Sequence, residues 1–192
     1  MQMKRQSRVV AFDDGKFGFR EGVVPVVGII ARLPSYVEGA LVTECTIDGM
    51  DSTQNICKTI LRSRFLEQLR AVLLDGIACG GFNVFDLGKI NSVTGLPVLS
   101  VTRKLPNLDA MRAALQKYFD DWEERYRIIR EYESIPVKSG KLKIHASWVG
   151  LDREDAVSLL KASIFRGNYP EALRLAHIFA SAITRGESRG KA

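Results

Sequence analysis

The sequence predicts an α/β chain with a mixed central sheet and helices on both faces. Three observations support this. Three β-rich segments follow one another near the N-terminus, separated only by short turns. Two apolar runs without polar alternation, Val9–Phe12 and Phe82–Phe85, read as strands buried on both faces. Beyond residue 48, stretches with helical spacing alternate with short β-branched runs.

The first strand is Arg8–Phe12. The segment Asp14–Gly22 is glycine-rich and reads as a loop. Val23–Leu33 is strongly β-branched, with Pro25 near its start where a missing N–H is tolerated. Val37–Asp48 alternates in polarity, and short turns between these strands imply an antiparallel meander. Asp51 with Gln54 three residues on fits a capping box opening a helix, whose apolar positions Ile56, Ile60, Phe65, Leu69 and Val72 continue to Leu74 before Gly76. A fourth strand ends at Asp86. A short helix over Leu87–Val93 stops at Gly95, and Val98–Arg103 forms strand five. Asn107–Tyr132 reads as one charged helix, Lys141–Trp148 as a half-exposed strand, and Asp152–Ala162 and Pro170–Gly186 as the last two helices. The order βββαβαβα matches the ribonuclease H-like architecture, strand order 3-2-1-4-5, in one domain spanning residues 1–192. Lys141–Trp148 lies outside that pattern.

Composition narrows the function. The chain has 192 residues, 46% apolar and 26% charged, ordinary for a globular protein. No apolar run reaches membrane-span length and the N-terminus lacks a signal-type apolar region, so a cytoplasmic protein without membrane association is expected. The net charge of +6 suits a polyanionic partner. Cys45, Cys57 and Cys79 are odd in number and share no CxxC spacing, which points to reduced, buried thiols.

The chemistry resides in acids at strand ends. With strands one and four side by side and parallel, Asp13 or Asp14 and Asp86 emerge at the carboxyl edge of the sheet, where ligands bind in open α/β folds. Strand three brings Asp48 to the same edge, with Asp51 just beyond. Acids meeting there repel one another unless a cation sits between them. Mg²⁺, or Mn²⁺, with its preference for hard oxygen ligands, suits such a site, and Asp13, Asp48 and Asp86 are the expected ligands. Asp14 serves a plain turn equally well, and Asp51 a helix cap. His177 falls on a stripe of the last helix with Arg174, Ser181 and Thr184, either a solvated face or a ligand reaching the metal edge. Lys16, Arg103, Arg185 and Arg189 are candidates for holding phosphates. Phe17 and Phe19 either stack on a base or cover the core.

Phe12-Asp-Asp-Gly15, Thr46-Ile-Asp-Gly-Met-Asp51, Gly80-Gly-Phe-Asn-Val-Phe-Asp86, Thr94-Gly-Leu-Pro97, Leu173-Arg-Leu-Ala-His177 and Arg185-Gly-Glu-Ser-Arg189 together resemble the endonuclease dU family, relatives of endonuclease V. The resemblance implies a ribonuclease H-like fold and Mg²⁺-dependent cleavage of DNA near deoxyuridine, in DNA repair. It implies metal roles for Asp13 and Asp86, a middle carboxylate at Asp48 or Asp51, and a late histidine at His177. The Pro-Tyr-Ile-Pro wedge of endonuclease V is absent from this sequence. A non-catalytic nucleic-acid-binding module on the same fold is the alternative reading.

Overall fold

The computed structural model describes residues 6–18, 22–139 and 142–188. Strands β1 (Arg8–Asp14), β2 (Val23–Arg32) and β3 (Tyr36–Thr46) form the expected antiparallel meander, with Val9 opposite Ala31 and Val27 opposite Val42. The first departure comes next. Helix α1 covers only Ser52–Leu61, a 3₁₀ turn follows at Leu66–Gln68, and Leu69–Asp75 is strand β4. Phe65, Leu69 and Val72 do sit at helical spacing, but Ala71–Leu74 is an unbroken apolar run. Spacing alone cannot separate such a run from a buried strand. Packing decides it: Leu69, Val72 and Leu74 enter the core on one face of the sheet, Ala71 and Leu73 the core on the other.

β4 pairs in parallel with β1, Val10 beside Val72 and Phe12 beside Leu74. The expected strand four, ending at Asp86, holds only the two-residue strand β6 (Asn83–Val84), which pairs with β5 (Ala78–Cys79) in a hairpin outside the main sheet, inside the crossover to α2 (Leu87–Thr94). Gly95 ends α2 in the left-handed region, and β7 (Val98–Thr102) lies parallel to β4.

The expected long helix is two, α3 (Leu108–Tyr118) and α4 (Trp122–Glu131). The chain extends at Phe119, whose ring meets Phe82 edge-on at 5.7 Å and lies under the Arg125 guanidinium. Buried Arg125 donates to the carbonyls of Gly49 and Phe82 and pairs with Asp121. This ties α4 to the loops after β3 and β5.

Strand β8 (Ile135–Ser139) has no counterpart in the sequence reading. β9 (Leu142–Val149) corresponds to the strand left outside the pattern. It joins the sheet antiparallel to β7, Val98 opposite Val149. The main sheet runs β3-β2-β1-β4-β7-β9-β8, so the expected 3-2-1-4-5 order survives inside a wider sheet with strand four reassigned.

Helices α1–α4 cover one face, and α5 (Arg153–Ala162) and α6 (Glu171–Arg185) the other. Asp152 caps α5 as expected, its Oδ1 accepting from the Asp155 amide at 2.7 Å. Gly186 closes α6 with φ of 81°. All three cysteines are buried free thiols. Among the described residues, no helix is long and apolar enough to cross a membrane.

As the central strand of seven, β4 carries ordinary strand-core energetics. Leu73, fully buried, predicts that Leu73→Ala lowers unfolding free energy by about 2–5 kcal/mol in a denaturant titration. A loss below about 1 kcal/mol would place this segment at the surface.

Candidate active site

Two parallel neighbours that end in acid create the site. Phe12 and Leu74 are register partners and point into the core under α1–α4. The next residue on each strand, Asp13 and Asp75, therefore turns to the opposite face, under α6. Asp13 Oδ2 lies 2.8 Å from Nδ1 of His177 on α6, and Asp75 Oδ1 accepts from the Tyr169 phenol at 2.9 Å. Asp14 points the other way, and its Oδ2 accepts from the Gly80 amide at 2.6 Å.

The height of α6 above the acids is set by Gly15. A Cβ there would meet Thr184 Cγ2 at 2.4 Å and the Ala180 carbonyl oxygen at 3.0 Å. With hydrogen in its place, the chain leaving β1 passes directly under the helix, and the Lys16 amide donates to Thr184 Oγ1 at 3.0 Å. That clip holds His177 over Asp13.

The result is a cleft of about 420 Å³. Asp13 and Asp75 form its floor with Asp14 also in the lining, His177 and Ser181 one wall, and Lys16, Arg103 and Arg185 its cationic rim. A larger cleft of about 580 Å³, between β3 and α1, holds Glu44, Lys58 and Arg62 but no such group of acids.

Burial governs the charges. It pushes the Asp13 carboxyl up to about 7; the His177 hydrogen bond opposes this, and the charges of Asp75 and Asp14 add to it. Burial likewise raises Asp14 and Asp75. The Asp13 hydrogen bond raises His177 above its ordinary value. Both partners' shifts describe one property: the cleft keeps a proton into the neutral range, shared across the 2.8 Å Asp13–His177 contact.

A hard divalent cation fits this donor set, since it would relieve the repulsion among buried carboxylates. Among the described residues, no three His, Cys, Asp or Glu side chains stand closed around a single ion position. Mg²⁺ needs no such cage, because one or two carboxylates suffice when waters complete the shell.

The structure brings Asp13, Asp14, His177, Lys16, Arg103 and Arg185 together. It does not bring Asp86, Asp48 or Asp51 to the cleft lining. The expected pairing of Asp86 with Asp13 fails because the parallel neighbour of β1 is β4, which ends at Asp75. Asp86 instead caps α2, its Oδ1 accepting from the Lys89 amide at 2.8 Å and the Tyr132 hydroxyl at 3.0 Å. Asp48, at φ 57°, accepts from the Phe82 amide at 2.8 Å. Asp51 sits at the start of α1, but its carboxylate makes no capping bond; it accepts from Thr46 and from Asn83 Nδ2 at 2.6 Å. Burial would raise Asp51, yet these bonds together hold it below the usual carboxylate range. Phe17 packs against the core. Arg189 and Phe19 lie outside the described residues.

Asp75 is the acid the sequence reading missed. Its signal was present: an apolar run, Ala71–Leu74, ending in Asp75-Gly76, repeats the pattern of Val9–Phe12 ending in acid and Gly15.

A sequence model of the endonuclease dU family matches residues 5–184. The chain belongs to the endonuclease dU family. A UPF0215 protein of Pyrococcus furiosus is 44% identical over 193 residues, 97% of each chain. Another, of Methanothermobacter thermautotrophicus, is 38% identical over 192 residues, covering 100% of this chain and 94% of its own. A crystal structure of a protein of unknown function from Archaeoglobus fulgidus superposes with a TM-score of 0.83 at 35% identity, over 93% of this chain and 98% of that one. Human ENDOV gives a TM-score of 0.58 at 16% identity, over 91% and 83% of the two chains. Endonuclease V of Ciona intestinalis, in complex with a 24mer DNA containing an inosine followed by a ribo-adenosine, gives 0.57 at 11% identity, over 91% and 84%. The fold of this family member is therefore ribonuclease H-like, as the strand order had indicated.

The Asp13 shift has a definite consequence for stability. A folded value near 7 against 3.8 in the free group means that the folded protein holds an extra proton between those values. Stability from this group is thus greatest in acid and is lost as pH rises toward 7, by at most about 4 kcal/mol. In metal-free protein, the unfolding midpoint of wild type should fall more between about pH 5 and about pH 8 than that of Asp13→Asn. Parallel curves for the two proteins would contradict the assignment.

Proposed function

We propose that this cleft is the active site of a divalent-metal-dependent endodeoxyribonuclease that cuts a phosphodiester near deoxyuridine, the product of cytosine deamination, in DNA repair. The observation that carries the proposal is the pairing of Asp13 with Asp75 on neighbouring parallel strand ends, beneath His177 and inside a cationic rim. Family membership supports the reaction class. The Ciona neighbour, bound to DNA containing an inosine, supports DNA as the substrate class.

Asp13 and Asp75 would hold Mg²⁺ or Mn²⁺, with Asp14 adding negative charge behind them. Bound metal supplies Lewis-acid stabilisation of the reacting phosphate and promotes ionisation of an attacking water. The protein's own groups supply the rest. Asp13 holds the Nδ1 edge of His177 and fixes the ring, which leaves Nε2 to move a proton at the attacking water. Lys16, Arg103 and Arg185 hold flanking phosphates, which gives affinity without sequence choice. The water gives a proton to His177 Nε2 as its oxygen bonds to phosphorus, the P–O3′ bond breaks, the departing O3′ takes a proton from solvent, and the products are a 3′-hydroxyl and a 5′-phosphate. The damaged nucleotide must leave the base stack for recognition.

The test is cleavage of a uracil-containing oligonucleotide with Mg²⁺ and with chelator. Asp13→Asn and Asp75→Asn should each lower the rate at least about a hundredfold. Asp86→Asn should cut at close to the wild-type rate, because asparagine caps a helix as well as aspartate. Full activity in Asp75→Asn, or cleavage indifferent to chelator, would refute the proposal.

A further inference from the structure

Between Asp75 and Arg103 lies a residue that the roles above leave unused. Tyr169 ends the loop ahead of α6 and is only 4% exposed. Its hydroxyl reaches Asp75 Oδ1 at 2.9 Å and the Val101 carbonyl oxygen at 3.1 Å. That carbonyl already accepts from the Gly76 amide at 2.9 Å, so the phenol proton is not needed there. Asp75 depends on it: among the described residues, Tyr169 is its only hydrogen-bond donor. A phenol keeps its proton at neutral pH, so it stays a donor.

The other side of the ring carries Arg103. Its guanidinium carbon stands 3.7 Å from the Tyr169 ring centroid, stacked on the face. Arg103 makes no hydrogen bond or ion pair among the described residues, although the Asp75 carboxylate lies within its electrostatic reach. A guanidinium beside a buried carboxylate ordinarily forms a two-point pair with it. Here the carboxylate oxygen is occupied by the phenol, and the cation is held flat by the same ring. The donors of Arg103 stay free for an anion, and the remaining carboxylate lone pairs of Asp75 stay free for a cation.

We infer that Tyr169 is a positioning residue that keeps Arg103 and Asp75 adjacent but unpaired, orienting one toward substrate phosphate and the other toward the divalent ion. This rests on the metal-dependent reading of the cleft. It assigns Tyr169 no contact with the reacting atoms.

Direct binding separates the two arms of the role. Mn²⁺ affinity would be read by calorimetry on the full chain, and oligonucleotide affinity by fluorescence anisotropy in chelator. Tyr169→Phe keeps the ring but loses the donor; it should weaken Mn²⁺ about tenfold, typical for a residue that orients a metal ligand, with oligonucleotide affinity unchanged. Tyr169→Leu removes both supports, lets Arg103 close on Asp75, and should weaken both. Adding Arg103→Ala to Tyr169→Leu should return Mn²⁺ affinity to the Tyr169→Phe level, which mere loss of packing would not do. Wild-type Mn²⁺ affinity in Tyr169→Phe, or no recovery in the double variant, would overturn the inference while leaving the metal site standing. A wild-type protein that binds no Mn²⁺ would overturn both.

Discussion

Two carboxylates held side by side at the ends of adjacent parallel strands are the constraint from which the site follows. Parallel pairing of β1 and β4 leaves no freedom in this: once Phe12 and Leu74 are register partners in the core, Asp13 and Asp75 must follow on the opposite face. Buried like charges on neighbouring strand ends are costly, and each acid is matched with a specific partner, His177 for one and Tyr169 for the other. Neither partner cancels the charge outright. The cleft therefore stores an unmet demand for positive charge, seen in the raised carboxyls of Asp13, Asp14 and Asp75. The proposed metal answers that demand.

Much of the remaining architecture serves to hold α6 over those strand ends. Gly15 admits the helix, and Thr184 fastens it to the backbone after β1. On the other face, the acids of the Thr46–Asp51 segment are spent on structure. Asp48, Asp51 and Asn83 bind the turn after β3 to the β5–β6 hairpin, and Arg125 locks both to α4. These residues are as polar and as close in sequence to glycine as any active-site motif. Asp51 differs from Asp13 and Asp75 in its electrostatics: donors from Thr46, Asn55 and Asn83 hold its carboxyl below the usual range, whereas burial raises the other two.

Charge of the two signs is segregated across a short distance. Acids sit on the cleft floor, and Lys16, Arg103 and Arg185 stand at its rim. A polyanion can then be held by its flanking phosphates while one phosphate approaches the acids. Within such an arrangement an arginine beside a carboxylate is a hazard, because the two neutralise each other. A stacked, buried tyrosine between them is a physical way of keeping both functional.

Local patterns in the sequence determined a good deal: the three-stranded meander, the caps at Asp152 and Gly186, the first strand running into the Asp13-Asp14 pair, and a net positive charge suited to a polyanion. These are legible because turn chemistry, capping and uninterrupted apolar runs act over a few residues. Tertiary structure alone decided which later strand lies beside β1. The runs Ala71–Leu74 and Phe82–Phe85 both end in acid, and the first also satisfies helical spacing. Only packing between two helical layers, which buries Leu73 on one face and Leu74 on the other, makes β4 the central strand and Asp75 the partner of Asp13. The pairing of Asp75 with Tyr169, 94 residues away, likewise has no local signature, because it depends on where two separately built elements meet.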